Sequence, residues 1–193
     1  KFILCAGEGT EQLLKAFELQ QPKQQLRPLH MVVLKGAALQ PIYAHCLGGG
    51  SKPRITITTH PAADGQWAWY LGGNLAEADG VARDEAAQIA FAQKELSNLM
   101  PWLDQSGLEW RCLRINRAEP AQSGLVRPDN AFLAADTGNL WISWPTKLAL
   151  APDLADRVLV ELGKQGIEPG QHPTHDSLPR PPMGLAPWEQ LFT

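Results

Sequence analysis

Cysteine, tyrosine and methionine are scarce in this chain, at three, two and three among 193 residues. Cys5, Cys46 and Cys112 are odd in number, widely spaced and match no metal-ligand spacing. That pattern argues against a disulfide framework and sets the expected compartment as a reducing cytoplasm. Charge of one sign is lacking as well. A net charge of −3 gives no electrostatic reason to expect a nucleic acid or a membrane surface as partner. No apolar run approaches the roughly 20 residues of a bilayer span, and no basic-then-apolar leader opens the sequence. The sequence has no Walker loop, no Gly-x-Ser-x-Gly elbow, no HExxH and no clustered Cys/His. What remains is a globular composition, 44% hydrophobic and 19% charged, long enough to bury a substantial core. The chain starts at Lys1, inside a strand-like run, and is therefore expected to be a piece of a longer protein.

The stretch from Leu140 to Gly163 organises the rest. Leu140, Trp141 and Ile142 read as a buried strand that Pro145 and Thr146 break. From about Leu148 the apolar positions fall at helical spacing, with Leu154, Val158 and Leu162 four apart and Ala155 and Leu159 beside them. Pro152 fits such a helix only in its first turn. Strand, tight turn and helix start together leave backbone N–H groups pointing over the turn, where an anionic group is favoured, and Lys147 stands beside them. An ordinary strand-to-helix connection is the other reading of the same spacing.

Taken in order, Phe2 to Cys5 predicts a short buried strand, followed by Ala6-Gly7-Glu8-Gly9-Thr10 and an amphipathic stretch with Leu13, Leu14 and Phe17. The GEGT run lacks the third small residue and the later acidic strand end of a dinucleotide fingerprint. Residues Gln20 to Gln25 read as a polar linker, and Leu29 to Leu34 as a strand with Ile42 to Leu47 as its partner. The clearest hairpin pairs Arg54 to Thr59 with Trp67 to Leu71 around Asp64-Gly65. Its alternation puts Trp67 and Trp69 on one face and Tyr70, with Thr56 and Thr58, on the other. Arg83 to Leu99 reads as a helix stopped by Pro101, and Leu108 to Ile115 as a strand. Arg117 and Arg127 each stand near a proline, which gives rigid placement of cations suited to a carboxylate; surface pairing with Glu119 or Asp129 is the alternative. After Gly163 the chain turns Pro-rich, a tail with Trp188 and Phe192 as apolar anchors. His172 and His175 there have the spacing of a helical metal pair, but flanking prolines favour a solvated tail.

The order of these pieces resembles the C-terminal half of the D-amino-acid-oxidase-like family of FAD-dependent oxidoreductases, which includes glycine oxidase and the glycerol-phosphate dehydrogenases. Ile3-Leu4-Cys5-Ala6-Gly7 resembles the family's strand and Ala-Gly turn beneath the flavin. Arg27-Pro28-Leu29-His30 is similar to its Arg-Pro strand opening, and Tyr70-Leu71-Gly72-Gly73 to the end of its hairpin. Leu99-Met100-Pro101 looks like its helix end, Arg117 to Pro120 and Arg127-Pro128-Asp129 like its Arg-Pro and Thr-Pro-Asp elements, and Lys147 to Pro152 like its last helix start. The resemblance implies an α+β fold: an antiparallel or mixed sheet substrate domain with flanking helices, at residues 25–136, plus pieces of an FAD-binding domain at 1–24 and 137–164, with a Pro-rich tail at 165–193. It implies FAD as cofactor, held at Ala6, Gly7, Pro145, Thr146, Lys147 and Leu148. It also implies oxidation of an amine or alcohol C–H by hydride transfer, and a small-molecule substrate bound by Arg117, Tyr70 and His30.

Three departures accompany the resemblance. The family's Gly-rich turn before the last helix is Trp144-Pro145-Thr146 here, and Leu29-His30 replaces the usual Gly after Arg-Pro. The N-terminal Gly-x-Gly-x-x-Gly half is absent, so that half is the expected partner, and this piece alone is expected to bind FAD weakly or not at all and to be inactive. The alternative to an oxidoreductase is a non-enzymatic ligand-binding or interaction domain, meeting a partner through the Trp67/Trp69 hairpin face and the Pro-rich tail.

Overall fold

The computed structural model describes residues 1–50, 52–125, 127–135, 138–168, 170, 179–180 and 182–193. The expectations for Pro169, His172, Pro173, His175 and Pro181 lie outside them. The fold is α+β, with mixed and antiparallel sheets and helices, in two units. The first comprises residues 1–27 and 116–181, the second residues 28–115 and 182–193. Within the span of 25–136 expected for the substrate domain, residues 132–134 pair with the strand that follows them rather than with the larger sheet.

In the first unit, strands β1 (Phe2–Leu4), β7 (Phe132–Ala134) and β8 (Leu140–Trp144) form a sheet in the order β1-β8-β7. β1 runs parallel to β8, with Phe2 opposite Leu140, and β7 runs antiparallel to it. A 3-10 turn at Gly7–Gly9 leads into α1 (Thr10–Ala16). Leu14, Ile142 and Trp144 form the core here, with Leu4, Leu19, Ala118 and Phe132 packed against them. β1 is not the buried strand expected. It lies at the sheet edge, and Phe2 is 74% exposed. Helix α4 (Ala151–Lys164) follows a 3-10 turn at Leu148–Leu150, with Pro152 in the first turn as its missing N–H requires. Its apolar stripe is only partly covered: Leu154, Val158 and Leu162 are half-buried and Leu159 is exposed.

The second unit is built on the five-stranded order β3-β4-β5-β2-β6: β2 (Gln24–Gly36), β3 (Ala44–Cys46), β4 (Ile55–Pro61), β5 (Trp67–Gly72) and β6 (Glu109–Pro120), of which residues 24–27 of β2 and 116–120 of β6 count with the first unit. β2 begins inside the stretch expected to be a linker, and β6 continues past Ile115 through the Arg-Pro element. β3 pairs with β4 and not with β2, whose two neighbours are β5 and β6. The hairpin forms as its alternation dictates, with Thr58 opposite Tyr70 and Thr59 opposite Trp69. Helix α3 (Glu85–Leu99) is capped by Asp84, whose carboxylate accepts the Ala87 N–H at 2.8 Å, a contact worth about 1 kcal/mol. It lays Ala92 and Leu96 on Val32, Leu34, Ile57, Trp69 and Leu71. Trp69 is therefore core, its indole N–H donating to the Gln40 carbonyl at 2.9 Å, and it is not available as an interaction face.

A polar knot ties the helix to this sheet. The buried Gln88 amide donates to the carbonyls of His30 at 2.7 Å and Leu75 at 2.9 Å and accepts from Arg83 at 3.1 Å. Gly80, in the short helix α2 (Ala78–Ala82), leaves no room for a side chain: a Cβ there would overlap the Leu75 carbonyl oxygen. On the other face of the hairpin lies α5 (Pro187–Leu191), the end of the Pro-rich tail. Trp188 stacks on His60 with ring centres 4.1 Å apart and donates to the Pro61 carbonyl at 3.1 Å. Phe192 lies beneath Lys35. Both anchors named from the sequence hold the tail end down.

Candidate functional site

The first unit contains a cavity of about 430 Å³ lined by Cys5, Gly7, Arg117, Ala118, Glu119, Ser143, Trp144, Pro145, Thr146, Lys147 and Leu148. Its floor is the pair of parallel strand ends. At the end of β1, Cys5 Sγ lies 3.2 Å from Ser143 Oγ, and that hydroxyl donates to the Leu4 carbonyl at 3.3 Å. Beyond Cys5 the chain turns at Ala6, whose carbonyl accepts from Gly9, and Gly7 follows with φ +55°. Among the described residues, nothing lies within 4 Å of where a Gly7 side chain would start, so its backbone is open to close approach.

β8 ends on a turn that the sequence makes unusual. Thr146 holds φ +60°, the left-handed conformation that glycine favours and a β-branched residue resists. The turn is stabilised locally: Thr146 Oγ1 donates to the Asn130 carbonyl at 3.1 Å, and the Lys147 N–H donates to the Pro145 carbonyl at 2.6 Å. This is the turn where the family resemblance has glycine, and Thr146 adopts a glycine-type backbone in its place. Leu148 opens the 3-10 turn, whose first amides have no acceptor within the turn. Lys147 reaches Asp129 at 3.4 Å, a long contact to a carboxylate that is 91% exposed and correspondingly weak.

Arg117 and Glu119 reach the same cavity from β6. Ala118 between them lines it too, and Arg117 and Glu119, two apart on the strand, share a face. The Glu119 carboxylate is 1% exposed; its Oε1 accepts from Arg27 Nη2 at 3.1 Å, and its Oε2 from Arg27 Nε and Gln25 Nε2 at 3.3 Å each.

Of the residues singled out from the sequence, Gly7, Arg117, Pro145, Thr146, Lys147 and Leu148 surround this cavity, with Ala6 next to Gly7 in the chain. Tyr70 and His30 lie in the second unit. Tyr70 is half-buried, edge-on to His60 at 5.4 Å and to Trp188 at 6.0 Å; burial raises its phenol pKa and lowers that of the His60 imidazole. His30 is buried, and its Nδ1–H donates to the Gly80 carbonyl at 2.9 Å. Ser143 went unnamed in the sequence, Cys5 was named only as part of the turn beneath the flavin, and Glu119 only as a surface partner of Arg117 or Arg127, whereas it is buried and pairs with Arg27. The alternation Arg117-Ala118-Glu119 was the available signal for Glu119, whereas nothing local in the sequence pairs it with Arg27, 92 positions away.

No family model matches the chain. A probable FAD-dependent oxidoreductase of Pseudomonas aeruginosa is 59% identical over 192 residues, a match taking in 100% of this chain and 49% of that protein. A crystal structure of an FAD-dependent oxidoreductase from Pseudomonas aeruginosa matches with a TM-score of 0.89 and 60% identity, over 99% of this chain and 52% of that one. The chain thus spans about half the length of the curated relative it matches.

Proposed function

We propose that this chain is the C-terminal portion of an FAD-dependent oxidoreductase of the D-amino-acid-oxidase-like type, acting on an amine or alcohol C–H. The observation that carries this reading is the cavity where Gly7, the Thr146 turn, Lys147 and Arg117 converge at the ends of two parallel strands. The name and the high identity of the Pseudomonas relative support the cofactor. The donor set fits a flavin edge: an open glycine backbone, a turn presenting first-turn amides, and an ammonium beside them. FAD, when bound, supplies the hydride acceptor. Lys147 and the amides of Leu148 and Ala149 favour negative charge at the cavity mouth before any reaction begins, which avoids reorganisation later. Arg117 presents a planar, permanently charged fork to a substrate carboxylate. Tyr70 and His30 stay as proposed substrate-binding residues, with His30 fixing the Gly80 carbonyl.

The test is an absorption spectrum of the full-length protein purified from cells, with this chain as control. Flavin bands in the full-length protein support the reading. Their absence there, even after incubation with added FAD, refutes it and leaves a binding module as the reading to pursue.

A further inference from the structure

Glu119 is a charged group that the reading above does not use. Its carboxylate is buried at the wall of a cavity whose other charged residues, Arg117 and Lys147, are both cations. Its counterion, Arg27, does not line the cavity. The carboxylate is held from the side of β2 by the Arg27 fork and the Gln25 amide, and Gln25 in turn accepts the Gln122 N–H at 2.9 Å, beyond the end of β6. A buried ion pair is seldom retained for stability alone, because apolar residues of similar volume fill the same space at no net cost. What no apolar pair supplies is a fixed negative charge on the cavity wall, two residues from Arg117 on the same strand face.

We propose that Glu119 is a positioning residue that holds the β6 end carrying Arg117 and moderates the cavity's preference for anionic charge. This role rests on the flavin reading above. A flavin gains negative charge on reduction, so a carboxylate at its wall opposes reduction and lowers its midpoint potential, while Lys147 acts in the other direction. The pair Glu119 and Lys147 thus sets the potential between two limits, and Arg27 makes the carboxylate tolerable in a buried place without cancelling its field at the cavity.

The test uses the full-length protein with Glu119→Gln, with the double variant Glu119→Leu/Arg27→Met, and with the surface variant Glu11→Gln as control. Circular dichroism and thermal melting report whether each variant folds, and the double variant removes the charge where the single one fails to fold. The expected result is a midpoint potential shifted to more positive values in Glu119→Gln. A smaller shift of the same sign is expected in the double variant, where the more distant cation is lost as well, and none in Glu11→Gln. Folded variants that carry flavin at an unchanged potential overturn this role and leave the flavin reading standing. A wild-type full-length protein without flavin refutes the flavin reading and this role with it.

Discussion

Replacing Gln88 by Leu removes a side chain of similar size that makes three polar contacts in a fully buried place. Two of its partners, the carbonyls of His30 and Leu75, then lose a donor. Each orphaned buried group costs about 1 to 3 kcal/mol, and burying the apolar Leu returns part of that, so the expected net loss is about 2 to 4 kcal/mol. The variant Gln88→Glu is worse at neutral pH, because a carboxylate offers no donor to either carbonyl. Burial disfavours the charged carboxylate and the Arg83 guanidinium at 3.1 Å offsets part of that, so the charge-dependent part of the penalty is absent below the unfolded value of about 4.3 and grows as pH rises through it, while the missing amide donor costs the same at every pH. Urea unfolding monitored by near-UV circular dichroism is the assay, with stability ordered wild type, Leu variant, Glu variant at pH 7, and the gap between the last two narrowing toward pH 4.5. A Leu variant as stable as wild type would show that the knot contributes nothing, and a pH-independent gap would refute its electrostatic account.

Further outcomes follow from the same reasoning. Arg27→Ala leaves the Glu119 carboxylate buried without its cation and is expected to destabilise by about 3 to 5 kcal/mol in denaturant melts, far more than the paired apolar replacement. Burial pushes the Cys112 thiol up to about 11, while Cys5 is exposed, so iodoacetamide at pH 8 should label Cys5 well before Cys112, read by peptide mass spectrometry. Trp188→Ala removes the stack on His60, the edge contact with Tyr70 and the bond to Pro61. The expected loss is about 1 to 3 kcal/mol, seen as faster proteolytic cleavage within residues 182–193.

Legibility of the sequence followed the range over which each signal acts. The β4–β5 hairpin and α3 were readable because alternation, helical spacing and the stop at Pro101 are local. The pairing of β3 was misread because strand order depends on which faces need covering, and β2 already has β5 and β6 as neighbours. The exposure of Phe2 was equally out of reach, since an apolar run has the same spacing on an edge strand as in a core. At the cavity, the turn at Thr146 was legible as a break in the chain. Its left-handed backbone was not, because a β-branched residue is the last that local preference would place there.

The parallel pairing of β1 with β8 also governs the order in which the molecule can be made. Phe2 pairs with Leu140, 138 positions later, so this contact cannot form until Leu140 has been made. At about 5 to 20 residues per second on the ribosome, that separation amounts to roughly 7 to 28 seconds. The core of the second unit draws on residues 29–110, all of them translated before Leu140. That core is complete in sequence while the first unit still lacks β8. Synthesis therefore completes the residues of the second unit's core before the β1–β8 pairing of the first can form, and adds the α5 segment that docks on that unit last.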